Sequence, residues 1–436
     1  MFHTHRAVLW HPDGVVSVPQ SPLGTIVPRH AERAVTDALR DTRVVLVTGA
    51  RQCGKSTLVR VMAKGKPEAE WRNLDTAVAR QAAIADPTGF VAFPELMVID
   101  EIQRAPELLL AVKEQVDNDP RPGRYLLTGS ARVLGLRALP DTLPGRTETI
   151  ELWPFSQGEI EGRLDGFVDA VFSAGDALSH ASAITRNDYA ERLVRGGFPE
   201  AVARTNVRRR QRFFDSYVAD LVTRDIRQLT EIERTTEMKA LLRLLAGRSG
   251  QLLVGRSLGN QVGLPASTIH RYLALLEEIF LIKRVPAWGR RLSSRAIGTP
   301  KVAFVDAGVA ANLVGADARS LIRPGGGLGP LLEGFVLMEL ARQLTWSQER
   351  VELFHYRTKD RTEVDAVLEN RRGHVVGVEV KASSTVRAED FAGLRHLAER
   401  LDDNFVVGIV LYTGTQTLPF GHRLLAMPLA ALWEVG

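Results

Sequence analysis

The sequence predicts an α/β protein with an added helical section, on three observations. Short apolar runs at 44–47, 97–99 and 125–127 each end in polar or glycine-rich residues. A segment of helical length, 107–117, lies between the second and third runs, so strands and helices alternate as they do around a parallel sheet. Beyond residue 161 the apolar spacing turns helical and stays so to about residue 243, without strand-like runs. Runs as uniformly apolar as Val44-Val45-Leu46-Val47 read as strands buried on both faces, with chemistry placed at their carboxyl ends.

Composition sets the outer limits. A chain of 436 residues suggests roughly three domains at about 150 residues each. Hydrophobic residues at 45% and charged residues at 25% exclude disordered, collagenous and membrane-embedded classes. The excess of 56 Lys and Arg over 51 Asp and Glu, net +5, permits nucleic-acid contact without arguing for it. No stretch reaches the ~18 unbroken apolar residues of a membrane helix, and the start has no basic-then-apolar leader. A cytoplasmic protein without membrane contact is expected. Cys53 is the single cysteine, so no intramolecular disulfide forms and stability must come from packing.

Taken in order, residues 1–28 read as an irregular arm outside the chemistry, and a helix is expected from about His30 to Arg40. Residues 29–160 form the first α/β domain and 161–243 a helical lid in which Phe213, Tyr217, Leu221 and Val222 share one face. Residues 244–295 contain two helices broken at Gly263-Leu264-Pro265 and then a short apolar run, the spacing of a helix-turn-helix with a wing. A third alternation, starting with the run at 302–308, occupies 296–436, with a loop expected at 323–330. There is no internal repeat.

The most specific motif is Gly49-Ala50-Arg51-Gln52-Cys53-Gly54-Lys55-Ser56, followed by Thr57. It fits G-x-x-x-x-G-K-[ST] and lies after a strand and before a helix, where backbone N–H groups and the helix N-terminus face phosphate oxygens. ATP is the expected ligand, with Lys55 on the β- and γ-phosphates and the Ser56 hydroxyl on Mg²⁺. Cys53 inside the loop either exposes the site to thiol reagents or is a tolerated small residue. Asp100 and Glu101 end the second strand, where one acid would hold Mg²⁺ and the other polarise the attacking water. Ser130, after the third strand, is either a γ-phosphate sensor or part of a simple turn. Arg132 and Arg146 are candidates for stabilising transition-state charge, across a subunit interface if the protein forms a homo-oligomer.

With GARQCGKST, MVIDEIQRAPELL, LLTGSARV and LPGRTETIELWPFS in this order, the chain resembles the AAA+ ATPases. More narrowly, it is similar to a largely uncharacterised prokaryotic group in which the AAA+ core precedes a winged helix and a restriction-endonuclease-like domain. GGFPE at Gly196, YVADLVTRDI at Tyr217, TIHRYLALLEE at Thr268 and KVAFVDAGV at Lys301 extend the likeness over nearly the whole chain. The resemblance implies ATP binding and hydrolysis.

In the last domain Glu333 lies in a helical segment, Asp365 follows Glu363-Val364, and Glu379-Val380-Lys381 follows an apolar run. In a hairpin, Asp365 and Glu379 would converge on a second Mg²⁺, with Lys381 on the strand face of Glu379. This resembles the PD-(D/E)xK nuclease core with Glu333 as the helical acid, although Val364 stands where that pattern has proline. A working site, a fold that has lost cutting activity and an exposed acidic hairpin all stay open. Histidine spacing does not suggest zinc, and His355, His374 and His396 read as surface or core residues. The basic runs from Arg204 and Lys283 read either as phosphate contacts or as solvated faces. The helix at 267–278 exposes His270 and Arg271, with Glu277 and Glu278 alongside as unfavourable neighbours for DNA. Two functions follow: Mg²⁺-dependent ATP hydrolysis coupled to DNA remodelling or processing, or a nucleotide-dependent switch acting on protein partners through an inactive nuclease-like domain.

Overall fold

The computed structural model describes residues 20–21, 24–130, 143–225, 235–289 and 298–436. Helix α1 (Ala31–Asp41) leads into strand β1 (Val44–Thr48), and helix α2 (Lys55–Lys64) follows the turn after it. Then come β2 (Glu70–Asn73), β3 (Met97–Asp100), helix α3 (Leu108–Asn118), β4 (Tyr125–Gly129) and β5 (Thr147–Glu151). The five strands form one parallel sheet in the order β2-β3-β4-β1-β5.

Alternation explains why β1 is apolar throughout. Val45 and Val47 face one core with Val35 and Leu39 of α1, while Val44 and Leu46 face another with Leu108 and Val112 of α3. Both faces are covered, as a parallel sheet requires. The expected strands at 44, 97 and 125 are all present. The edge strands β2 and β5 were not expected, because their largely solvent-accessible sequences EWRN and TETIE carry no apolar run.

The segment after residue 161 is helical as expected. It includes α4 (Arg186–Arg195) and α5 (Val207–Asp220), which continues into a π-turn at Leu221–Asp225. Tyr217, Leu221 and Val222 are buried, with Phe213 packed against them. Helices α6 (Gly255–Val262) and α7 (Ala266–Glu278) flank Gly263, whose φ of 74° lets the chain reverse. Strand β6 (Ile282–Val285) then pairs antiparallel with β7 (Lys301–Phe304). Thus the run at 302, expected to open the last α/β alternation, pairs with the preceding segment instead. An apolar run announces a strand but not its partner.

Helix α8 (Leu328–Gln343) has thirteen of its sixteen residues buried, so it is a central helix rather than a surface one. The loop expected at 323–330 ends early, since 328–330 already belong to α8. The remaining strands are β8 (Val351–Arg357), β9 (Glu363–Asn370), β10 (Val375–Lys381), β11 (Phe405–Tyr412), β12 (Leu418–Pro419) and β13 (Leu424–Pro428). They form a mixed sheet ordered β8-β9-β10-β11-β13-β12. One apolar core, apart from the one that holds Val44 and Leu46, runs from Ala31 through α4, α5, α7 and α8 to Trp433.

Polar contacts reinforce that continuity. Arg342 of α8 donates to the carbonyls of Pro154 at 3.0 Å and Val305 at 2.8 Å, and to Glu339 at 2.7 Å. The Gln157 N–H donates to Glu339 at 3.1 Å. Burial pushes the Glu339 carboxyl up to about 7, although Arg342 opposes the shift. No helix among the described residues is long and apolar enough to cross a membrane.

Candidate functional site

The carboxyl ends of β1, β3 and β4 lie along one edge of the first sheet, with β4 between the other two. Beyond β1 the chain curls through Gly49–Gly54 into α2. Only glycine fits at Gly49, since a Cβ there would lie 2.0 Å from the Leu152 carbonyl oxygen; Gly54 has φ of 103°. Lys55 is buried, and its ammonium donates to the carbonyls of Gly49 and Ala50 at 3.0 Å each. Gln52, Gly54, Lys55, Ser56 and Thr57 all line one cavity. Cys53 does not: its thiol is buried and donates to Leu152 O at 3.3 Å, which favours the reading of a tolerated small residue.

Hydrogen bonds join the three strand ends. The Ser56 hydroxyl donates to Asp100 Oδ1 at 2.9 Å, and Thr128 Oγ1 donates to the same oxygen. In turn Thr128 Oγ1 accepts from the Glu101 N–H at 3.0 Å. Glu101 takes the left-handed conformation, φ 62°, and its carboxylate accepts from Gln103 Nε2. Gln103 Nε2 also donates to Ser130 Oγ at 2.8 Å, while the Ser130 N–H donates to Gln103 Oε1 at 3.3 Å. Lys55, Ser56, Asp100, Glu101 and Ser130 therefore gather as expected. Thr128 and Gln103 join them; the only sequence sign of either was its closeness to a motif.

Arg29 was also missed. Its guanidinium donates to Cys53 O at 2.9 Å, Trp153 O at 2.6 Å and Glu159 Oε1 at 3.0 Å, and lies 4.8 Å from the centre of the Phe155 ring. One buried side chain thus ties the phosphate loop to the segment after β5. Beside the loop is a cavity of about 720 Å³, walled by Thr25–Pro28, Val61 of α2, Phe155, Pro199 and Val202, with Phe213 and Tyr217 from α5. Residues 25–28 belong to the arm set outside the chemistry; that expectation is corrected, because backbone and small apolar side chains there form a wall no motif advertises.

Arg146 does not join this group within one copy of the chain. Its carbonyl accepts from Val44 N at 3.2 Å, at the amino end of β1, and its side chain is bound to Asp117 at 2.5 and 3.1 Å. The five residues of β1 span roughly 16 Å at ~3.3 Å each, so Arg146 lies at the far edge of the sheet from its own phosphate loop. Arg132 lies outside the described residues.

At the C-terminal acids, Asp365 of β9 and Glu379 of β10 occupy neighbouring strands, as expected. Lys381 donates to Glu379 Oε1 at 3.0 Å, on the expected face, and Glu379 Oε2 is buried without a partner. Asp365 is already occupied: Oδ2 accepts from Val380 N at 2.9 Å and Oδ1 from Lys301 Nζ at 2.7 Å. The same ammonium, fully buried on β7, is 2.9 Å from Glu363. Burial opposes its charge, but Asp365 and Glu363 raise its pKa nonetheless. Burial, reinforced by Asp365, pushes the Glu333 carboxyl up to about 8 and that of Glu379 to about 7. Among the described residues, no group of three or more His, Cys, Asp and Glu is arranged to hold a metal ion. In this structure the cation at Asp365 is the Lys301 ammonium, and the one at Glu379 is that of Lys381.

Of the basic features, Lys283 lies 5.3 Å from the Trp153 ring centre, Arg204 pairs with Glu200, Arg284 with Glu277, and Arg210 is buried against Arg204 O. Glu277 and Glu278 are half-buried, which corrects their expected exposure beside the solvent-facing His270 and Arg271.

Residues 41–161, which carry this loop and the acids beside it, match a family model described as an AAA domain. Residues 186–320 and 328–432 match two models, each described as a domain of unknown function (DUF8612 and DUF4143). An uncharacterized protein of Mycobacterium tuberculosis, Rv2008c, is 28% identical over 412 residues, covering 94% of this chain and 85% of the relative. An uncharacterized protein of Mycobacterium bovis, Mb2031c, shows the same 28% over 412 residues. Among solved structures, the Walker-type ATPase PABY2304 of Pyrococcus abyssi gives a TM-score of 0.44 at 15% identity, covering 66% of this chain and 96% of that one. The RuvB Holliday junction branch migration motor of Thermotoga maritima gives 0.28 at 19% identity, covering 59% and 89%.

Proposed function

We propose that this chain is a Mg²⁺-dependent ATP hydrolase whose cycle is coupled to DNA remodelling. The observation that carries the reading is the single edge on which Lys55, Ser56, Asp100 and Glu101 meet, beside a cavity with apolar walls for a base. Ser56 and Asp100 supply hard oxygen donors of the kind Mg²⁺ takes, and would hold it against the phosphates. There the ion would neutralise charge developing on the phosphate oxygens. Lys55 would bind the β- and γ-phosphates, and Glu101 would polarise the attacking water. Around this core, 161–243 act as a helical lid, 244–295 as a winged helix whose hairpin is completed by β7, and the rest of 296–436 as a nuclease-like domain.

DNA contact is supported by the exposed His270 and Arg271 of α7 and Arg208, Arg209 and Arg212 of α5. Remodelling is favoured over cutting because Lys301 occupies Asp365. The second reading, a switch acting on protein partners, is favoured by the internal use of Arg204, Arg210, Lys283 and Arg284. Arg146 would contribute to hydrolysis only between copies in a homo-oligomer.

The test is ATP turnover with Mg²⁺, with and without single-stranded, duplex and branched DNA, over a range of salt. Stimulation that falls steeply with salt is expected. Turnover indifferent to every DNA would select the switch. Lys55→Ala should abolish ATP binding or turnover, and wild-type rates in that variant would remove the site assignment.

A further inference from the structure

We propose that Gln103 is a positioning residue for hydrolysis: its amide holds the Glu101 carboxylate and turns the Ser130 hydroxyl into a donor for the γ-phosphate. The inference rests on the ATP-hydrolase reading and deepens it. Both protons of the Gln103 amide nitrogen are placed, one on Glu101 and one on Ser130 Oγ, and its oxygen accepts from the Ser130 N–H. The reverse amide orientation would set its oxygen against a carboxylate oxygen, so Glu101 itself decides the orientation. Because Ser130 Oγ accepts from the amide, the hydroxyl proton is left to point elsewhere, and an anionic phosphate oxygen is the acceptor this site would bring.

The local backbone serves this arrangement. Ile102 is fully buried and anchors the single 3-10 turn Ile102–Arg104, while the left-handed Glu101 before it brings side chains 101 and 103 together. Thr128 binds Asp100 and the Glu101 N–H, so the same carboxylate is held from the backbone side too. In the reaction, the water oxygen bonds to the γ-phosphorus and the bond from that phosphorus to the β–γ bridging oxygen breaks, its electron pair leaving with ADP. The water proton passes to Glu101. Gln103 touches neither bond. It sets where the accepting carboxylate waits and which way Ser130 donates, and so links arrival of the γ-phosphate to the state of Glu101.

The experiment compares wild type, Gln103→Met and Gln103→Glu for ATP turnover over pH and for binding of a fluorescent ATP analogue. Gln103→Met keeps the volume without the amide. Its kcat should fall roughly tenfold or more, while KM and analogue binding change by much less, because Gln103 itself touches no phosphate and at most one neutral hydrogen bond to the γ-phosphate is weakened. Gln103→Glu sets a second carboxylate against Glu101, so the acid limb of its kcat profile should move up by about one pH unit or more. Retained analogue binding shows that each variant is folded. Wild-type kcat in Gln103→Met together with an unmoved profile in Gln103→Glu overturns the proposal while leaving the ATPase reading intact. A wild-type protein that binds the analogue but never turns over ATP removes that reading and this proposal with it.

Discussion

Arg29 shows how much one side chain can decide. Three donors of a single guanidinium, with 8% of the side chain exposed, meet a loop carbonyl, a carbonyl after β5 and the Glu159 carboxylate. Removing it leaves Glu159 buried and the loop untied. Arg29→Ala should therefore cost about 3 kcal/mol, the scale for breaking a buried ion pair, and weaken ATP binding; urea melts and analogue titration would measure both. His355 tests a site where burial dominates. It is 1% exposed, donates from Nε2 to the Thr299 carbonyl oxygen at 2.9 Å, and burial holds it down at about 4 rather than 6.5. A histidine depressed in the folded state gives stability that is present above pH 6.5 and is lost as pH falls toward 4, because the unfolded chain protonates first. Wild type should lose on the order of 3 kcal/mol across that window. In His355→Gln the loss should shrink, and equal acid sensitivity in both proteins would count against this assignment. Little at this scale was legible beforehand: Lys55, Ser56 and Asp100 have fixed spacing from strand ends, whereas Arg29, Gln103 and Lys301 acquire roles only from what folds against them.

Among the elements, β1, β3 and β4 were readable because burial on both faces demands unbroken apolar runs, and β2 and β5 were not because edge strands escape that demand. Strand β7 is the case with most consequence. It pairs with β6, yet its first residue, Lys301, reaches Asp365 and Glu363 on β9. One ammonium thereby joins the hairpin to the C-terminal sheet. Lys301→Ala should cost about 3–5 kcal/mol by leaving the buried Asp365 carboxylate uncompensated. Adding Asp365→Asn should recover part of that loss, as measured by a double-mutant cycle in thermal or urea unfolding. Additive losses would show that the two residues do not interact.

For the whole molecule, the continuous core carries its own prediction. Helix α8 is buried almost all round, and its Glu339 and Arg342 bind backbone at Gln157, Pro154 and Val305. A chain ending before residue 328 would expose the apolar surfaces that α8 covers from both sides. It should aggregate or fail to bind nucleotide, as judged by light scattering and analogue titration. A monodisperse, ATP-hydrolysing truncation would show instead that the first domain stands alone. The sequence by itself determined the α/β class, the phosphate loop, the acids that face it and the helix holding Glu333, because each is a local pattern: a run, a spacing, a period. Only the tertiary structure decided that Arg146 lies at the far edge of the sheet from its own phosphate loop, that residues 25–28 wall the cavity and that Lys301 pairs with Asp365. Those outcomes depend on which distant segments meet, and a sequence pattern read along the chain carries no information about its partner across it.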